Sequence, residues 1–160
     1  MITACILTLS DKGSKGRRKD ESGPEIEKML KGIGAEVRHY EILPDEKELI
    51  KEKLIKYSKE TDLILTTGGT GLSPRDVAPD ATLEVIEREI PGIGEVMRAE
   101  GIKKTKRAAL SRATSGVRGG ALIINLPGSP KAVRESLEAI LDVIPHAIEK
   151  IKGSTKDCAR

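Results

Sequence analysis

The sequence predicts an α/β fold, a three-layer α/β/α sandwich with a mostly parallel sheet. Strands are predicted at 2–9, 35–43, 63–67 and 121–126, where apolar and β-branched residues lie between turn residues. The segments between these strands carry apolar residues at helical spacing. Strands that alternate with amphipathic helices are typical of a parallel sheet covered by helices on both faces.

The first two predicted strands are joined by a helix with a clear start and end. Ser22, with Pro24 two residues later, is typical of a helix N-terminus with serine as the capping residue. Ile26 and Leu30 lie on one face of this helix and are expected to be buried, and Gly34 ends it.

Two aspartates have a local interpretation as helix caps. Asp45 follows Pro44 and can cap a helix over 46–58, which is the better interpretation of Asp45 on local sequence alone. Asp80 can likewise cap the next helix, which is expected to carry Leu83, Ile86 and Ile90.

The rest of the chain completes one domain. We expect broken helices over 92–114, a glycine-rich turn over 116–120 and one or two helices over 131–151. The 160 residues contain no internal repeat or linker, so a single domain is predicted over 1–151, with a frayed tail over 152–160.

Composition excludes several classes of function. The chain has no Trp, no Phe and two Tyr, which argues against nucleic-acid binding by base stacking, and its net charge of +3 is too small to indicate such a partner. Cys5 lies in an apolar run and Cys158 near the end, so no disulfide framework is expected. Apolar runs are too short for a membrane span, and we predict a cytoplasmic protein without a membrane or nucleic-acid partner.

Ligands of open α/β sheets bind outside the carboxyl ends of the strands, so the chemistry is expected in the loops that follow the predicted strands. Gly68, Gly69 and Gly71 follow the third strand, and their spacing suits either a phosphate cradle or a tight turn. Asp76, in the same loop, is either a Mg²⁺ ligand beside such a phosphate or a solvated charge.

Other loop residues leave two interpretations open. Asn125, at the end of an apolar strand, either orients a ligand or forms an Asx-turn, while Ser129 can cap the following helix. Arg112 either reaches a phosphate or faces solvent. The basic loop 12–19 either steers a polyanionic substrate or is simply solvated.

Taken together, these loops resemble a known family. The stretches Thr67-Gly-Gly-Thr-Gly-Leu-Ser-Pro-Arg-Asp-Val-Ala-Pro-Asp-Ala-Thr82, Ile90-Pro-Gly-Ile-Gly-Glu-Val-Met-Arg98, Leu110-Ser-Arg-Ala113 and Asn125-Leu-Pro-Gly-Ser-Pro-Lys131 are similar, in matching order, to those of the MogA/MoaB family of molybdenum-cofactor biosynthesis. The resemblance covers about residues 2–150. It implies an α/β/α sandwich, commonly a homotrimer, and molybdopterin adenylyltransferase activity with ATP and molybdopterin as substrates.

The resemblance also implies roles for individual residues. Asp45 and Asp76 correspond to the two essential aspartates of such enzymes, which makes Asp45 functional, and both are expected to hold Mg²⁺. The expected substrate-binding residues are Ser10, Asp11, Thr67, Gly68, Gly69, Thr70, Gly71, Ser111, Arg112, Asn125, Pro127, Gly128 and Ser129. A molybdate-inserting protein is a possible recipient of the product. The alternative is a MoaB-like molybdopterin carrier without catalysis.

Overall fold

The strands form one mixed sheet. The computed structural model describes residues 1–158, and its strands are Ile2–Leu9 (β1), Ala35–Leu43 (β2), Leu63–Thr67 (β3), Arg88–Glu89 (β4), Ser115–Arg118 (β5) and Ala121–Leu126 (β6). The order across the sheet is β2-β1-β3-β6-β5-β4. Strands β2, β1, β3 and β6 are parallel, whereas β5 runs antiparallel to both of its neighbours.

Helices occupy most of the connections between these strands. They are Asp11–Ser14 (α1), Ser22–Lys31 (α2), Lys47–Tyr57 (α3), Ala78–Val85 (α4), Pro91–Ile102 (α5), Pro130–Glu138 (α6) and Ile144–Ile151 (α7), with a 3-10 helix at Lys106–Leu110. Among residues 1–158, no helix is both long enough and apolar enough to cross a membrane.

The central strand β3 shows why the fold has three layers. All five of its residues are buried, and successive side chains point to opposite faces of the sheet. Leu63 and Leu65 pack in a core with residues of α2, α5, α6 and α7, whereas Ile64 packs with residues of α3 and α4. The predicted α/β/α sandwich with a mostly parallel sheet is confirmed.

The four predicted strands are confirmed, but two others were not predicted. The segment 116–120 that was expected to be a turn contains part of β5, so that prediction was wrong over 116–118 and is confirmed at Gly119 and Gly120. A Cβ atom at Gly116 would lie 2.5 Å from the carbonyl oxygen of Arg88, so the glycine lets β4 approach closely. Here glycine marks a close backbone contact in a strand rather than a turn.

Three of the expected helix caps are different in the structure. Asp20, not Ser22, accepts the hydrogen bonds from the first N–H groups of α2, those of Ser22 and Gly23, both at 3.1 Å. Asp45 makes no capping bond to α3, and Asp80 lies inside the first turn of α4.

The expected cap of α6 is confirmed, because the hydroxyl of Ser129 accepts from the N–H of Ala132. The helix α4 is shorter than predicted: it carries Leu83, but Ile86 and Ile90 lie beyond its end. Leu83 is 49% exposed. The other side of α4 carries the small residues Ala78 and Ala81, which pack against the sheet.

Candidate active site

The carboxyl ends of four parallel strands place the predicted loops side by side. Thr67, the last residue of β3, pairs with Thr8 of β1 and with Leu126 of β6, and Leu9 pairs with Leu43 of β2. A cavity of about 710 Å³ opens at this edge, and we call it the carboxylate cavity because Asp45 and Asp76 both line it. Its other residues from the predicted site are Ser10, Thr67, Gly68, Gly69, Gly128 and Ser129.

A second cavity of about 300 Å³, the side cavity, adjoins the first. Its residues from the predicted site are Thr70, Gly71, Ser111 and Pro127, and Met97, Ala108 and Leu110 give it apolar walls. The two cavities are neighbours because the glycine loop and the loop after β6 each contribute residues to both. Most of the predicted residues are thus divided between two neighbouring regions at the same edge of the sheet, whereas Asp11, Arg112 and Asn125 line neither cavity.

Asp45 is held by a reciprocal pair of hydrogen bonds with Asp11. The N–H of Asp11 donates to Oδ2 of Asp45 at 3.1 Å, and the N–H of Asp45 donates to Oδ1 of Asp11 at 2.9 Å. Arg75 donates to both carboxylate oxygens of Asp11, at 3.0 and 2.9 Å, and also to Glu46 at 2.9 Å. Three loops are therefore joined around the Asp45 carboxylate, which explains why this residue is not a helix cap.

The two interlocked carboxyl groups have opposite electrostatic environments. Burial raises the pKa of Asp45, and the neighbouring charges of Asp11 and Asp76 raise it further, against a lowering by the hydrogen bond from Asp11. The hydrogen bond from Arg75 is the main cause that lowers the pKa of Asp11. Asp45 and Asp76 thus concentrate negative charge that a bound cation would stabilise.

The donor set in the carboxylate cavity suits Mg²⁺. This ion prefers oxygen ligands and is commonly held by one or two carboxylates together with water and substrate phosphates. Asp45 and Asp76 supply two carboxylates, and within residues 1–158 no cluster of three or more His, Cys, Asp or Glu forms a metal site made of protein ligands alone. The residues present fit a cation that completes its shell with phosphate oxygens.

The glycines of the loop after β3 are required by its geometry. Gly68 and Gly69 have φ angles of 95° and 66°, and a Cβ atom at Gly68 would overlap the carbonyl oxygen of Leu9. A Cβ atom at Gly69 would lie 3.3 Å from Oδ1 of Asp45. The N–H of Gly68 donates to the carbonyl of Leu126, so the donors available to a phosphate are those of the residues that follow.

Arg112 is bound to the loop that carries Asp76. Its guanidinium donates to the carbonyl oxygens of Gly71 and Asp76, at 2.9 and 2.6 Å, and pairs with the carboxylate of Asp80 at 3.1 Å. Its own N–H donates to the carbonyl of Thr70 at 2.8 Å. Arg112 lies outside the lining of both cavities and closes the loop that carries Asp76.

Asn125 is buried, and its side chain links neighbouring elements of the fold by hydrogen bonds. It lines neither cavity. It is fully buried, and its amide donates to the hydroxyls of Thr66 and Thr82, at 3.0 and 2.9 Å. Its side-chain oxygen accepts from the N–H of Thr114 at 3.2 Å. The Asx-turn is not formed, because these bonds join β6 to β3, α4 and the residue before β5.

Sequence reasoning singled out the basic loop, whose Arg18 and Lys19 line the carboxylate cavity, but it missed the residues that follow them. Asp20, Glu21 and Ser22 also line this cavity, and the hydroxyl of Ser22 donates to the carbonyl of Gly128 at 2.6 Å. Their place directly after the basic loop was the available signal, but their approach to Gly128 depends on a contact between residues far apart in sequence.

Comparison with known proteins identifies the family. Residues 5–146 match the family described as a probable molybdopterin binding domain. Molybdopterin adenylyltransferases from Helicobacter pylori J99 and Escherichia coli K12 are 44% and 40% identical, covering 93% and 92% of this chain and 87% and 84% of their own lengths.

Solved structures give the same result. The molybdopterin biosynthesis enzyme MoaB from Thermus thermophilus has a TM-score of 0.91 at 52% identity, over 96% of this chain and 98% of its own. The tungsten cofactor synthesizing protein MoaB from Pyrococcus furiosus has a TM-score of 0.87 at 34% identity, over 95% and 98%. With the glycine loop, the two aspartates and the sheet order in place, the chain belongs to the MogA/MoaB family of molybdenum-cofactor biosynthesis.

Proposed function

We propose that this protein is a molybdopterin adenylyltransferase, which transfers AMP from Mg-ATP to the terminal phosphate of molybdopterin and releases pyrophosphate. The observation that carries the proposal is that Asp45 and Asp76, from loops after different strands, line one cavity with Gly68 and Gly69. The relatives that are 38–44% identical over most of the chain and bear this name support the same reaction.

The reaction needs no protein nucleophile. An oxygen of the molybdopterin phosphate attacks the α-phosphorus of ATP, a new P–O bond forms, and the bond to the bridging oxygen of the β-phosphate breaks. That oxygen keeps the electron pair and leaves as part of pyrophosphate. Catalysis of this kind depends on positioning the two phosphates and on stabilising negative charge.

Different residues of the carboxylate cavity would position the phosphates and stabilise the negative charge. Asp45 and Asp76 would hold Mg²⁺, which when bound neutralises charge on the phosphate oxygens. The N–H groups that follow Gly68 would orient a phosphate, because Gly68 and Gly69 line the cavity and only the N–H of Gly68 is taken by the carbonyl of Leu126. A cavity of about 710 Å³ is in the usual size range for a bound small molecule.

A product assay tests the proposal. Purified protein is incubated with molybdopterin, ATP and Mg²⁺, and adenylylated molybdopterin is sought by mass spectrometry. We expect product and pyrophosphate in equal amounts, and none without Mg²⁺. Bound molybdopterin without product would contradict the proposal.

A MoaB-like molybdopterin carrier without catalysis is the alternative function. Thermal unfolding separates the two functions. An enzyme with this site is stabilised against unfolding by ATP only when Mg²⁺ is present, whereas a bare pterin carrier is not stabilised by ATP.

Assembly and location stay predictions. We expect a homotrimer in the cytoplasm that passes its product to a molybdate-inserting protein. Sedimentation that shows a stable monomer at micromolar concentration would contradict the trimer.

A further inference from the structure

The segment between α1 and α2 carries basic side chains beside the carboxylate cavity that form no ion pair within residues 1–158. Five basic residues occur within positions 12–19, all of them exposed, namely Lys12, Lys15, Arg17, Arg18 and Lys19. None forms an ion pair with a carboxylate of residues 1–158, whereas Arg75 and Arg112 are both paired with aspartates. Arg75, which precedes Asp76 in the chain, and Arg112, which folding brings to the Asp76 carbonyl, are therefore engaged within the protein, and the basic residues of this segment are available to a ligand.

Two of the five, Arg18 and Lys19, line the carboxylate cavity, where they are the basic residues of the lining. The acidic residues of the same lining are Asp20, Glu21, Asp45 and Asp76. A triphosphate carries more negative charge than one divalent cation neutralises, and the acidic side chains add to this excess. A polyphosphate in this cavity therefore requires protein cations, and Arg18 and Lys19 are in the position to supply them.

The chain next to this pair is firmly held. Asp20 accepts from the hydroxyl of Thr8 at 2.7 Å, from the hydroxyl of Tyr40, and from the first N–H groups of α2. These bonds fix the backbone directly after Lys19 to the end of β1 and the start of α2. Because the backbone is fixed, the two basic side chains stay at the cavity and lose less conformational entropy when they bind a ligand.

We infer that Arg18 and Lys19 form an oligophosphate subsite, which binds the β- and γ-phosphates of ATP and then the released pyrophosphate. This inference rests on the proposed function for its choice of nucleotide. The forked guanidinium of Arg18 suits two phosphate oxygens, and Lys19 adds a compact charge beside it. The pair stabilises the leaving group as negative charge develops on it.

The test measures ligand binding without turnover. Calorimetry with pyrophosphate and with Mg-ATP compares the wild type with the double variant Arg18→Gln, Lys19→Gln. The matched control is Lys15→Gln, Arg17→Gln, which removes the same charge from the same segment at residues outside the lining. We expect Kd for pyrophosphate to rise about tenfold to a hundredfold in the first variant and by less than about threefold in the control.

Other outcomes overturn the inference. If pyrophosphate binding is weakened equally in both double variants, the segment acts only through its long-range electrostatic field. If pyrophosphate binding is not weakened in either, no subsite exists. Absence of pyrophosphate binding by the wild type also overturns it. A loss of affinity for molybdopterin, with pyrophosphate binding unchanged, assigns the two cations to the acceptor phosphate instead.

The same proteins separate this inference from the proposed function. If the wild type binds pyrophosphate through this pair but forms no adenylylated product, the enzyme assignment fails and the subsite stands. If product forms at the wild-type rate in the Arg18→Gln, Lys19→Gln variant, the subsite fails and the enzyme assignment stands. Both variants alter exposed side chains, and circular dichroism checks that they are folded.

Discussion

Arg112 binds the main chain of Asp76 and leaves the Asp76 carboxylate to other partners. Its Nη2 donates to the carbonyl oxygen of Asp76 at 2.6 Å, while Oδ2 of Asp76 accepts from the N–H of Ser73 at 2.9 Å. The second hydrogen bond closes a tight turn within the loop, and the first ties that turn to the segment before β5. Arg112 thus acts as a positioning residue for the carboxylate that faces the cavity.

Asp76→Asn is expected to keep the fold and to lower turnover by about 10²-fold or more. The amide oxygen of asparagine can still accept from Ser73, but the charge that would hold Mg²⁺ is lost. Mass spectrometry of the product measures the loss of turnover, and circular dichroism checks that the fold is kept. The control is Asp142→Asn, an exposed aspartate between α6 and α7, and an equal loss in both variants would contradict the assignment.

Arg112→Lys is expected to keep a positive charge near Asp80 but to lose the fork that reaches two carbonyl groups. We expect a loss of about 1 to 3 kcal/mol in the free energy of unfolding and about a tenfold fall in kcat with little change in KM. Urea unfolding and steady-state kinetics measure these quantities.

The matched control for that variant is Arg134→Lys, since Arg134 is also paired with a carboxylate, that of Glu25, but lies on α6 away from the loop. Unchanged kcat in Arg112→Lys would mean that the loop keeps Asp76 in place without this residue.

The substitution Gly71→Ala is expected to lower catalysis while leaving the fold almost unchanged. Gly71 has no positive φ angle, so alanine fits its backbone, but the new Cβ would lie 2.8 Å from Oδ2 of Asp76. We expect activity to fall about tenfold or more because the carboxylate must move, with a small change in Tm.

Gly92→Ala is the control for that substitution, because nothing lies within 4 Å of its added Cβ. It is expected to keep full activity and to gain up to about 1 kcal/mol of stability. If the two alanine variants have the same kcat, the close approach of Gly71 to Asp76 does not contribute to catalysis.

The two thiols are expected to differ sharply in reactivity. Cys5 is fully buried, and burial is the main cause that raises its pKa to about 12, so almost no thiolate forms at pH 8. Cys158 is exposed. A chromogenic disulfide reagent should label one thiol in the native protein and two in guanidinium, and rapid labelling of native Cys158→Ser would contradict the buried position of Cys5.

The predicted strands were confirmed where local pattern and tertiary environment agree. A buried central strand needs apolar side chains on both faces, so 63–67 could be recognised from sequence. The two-residue strand β4 and the short strand β5 have no such pattern, and β4 pairs with β5 because Gly116 admits the backbone of Arg88. Such a contact between distant residues leaves no periodic signal in the chain.

The candidate site was predictable in part for the same reason. Glycine spacing is a local signal that led to Gly68 and Gly69, and the family resemblance added Asp45; the structure brings these residues into one cavity. The cap interpretation of Asp45 was wrong, because whether an aspartate caps a helix or meets another loop depends on where Asp11 lies after folding.

By itself, the sequence determined the fold class, the family and the loops that form the site, because apolar periodicity and loop motifs are properties of neighbouring residues. Only the tertiary structure decided which charged groups face the cavity. The guanidinium of Arg112 is hydrogen-bonded to backbone carbonyl groups and paired with Asp80, whereas Arg18 and Lys19 line the cavity. A long charged side chain binds the acceptors that folding brings within its reach, and those acceptors lie far from it in sequence.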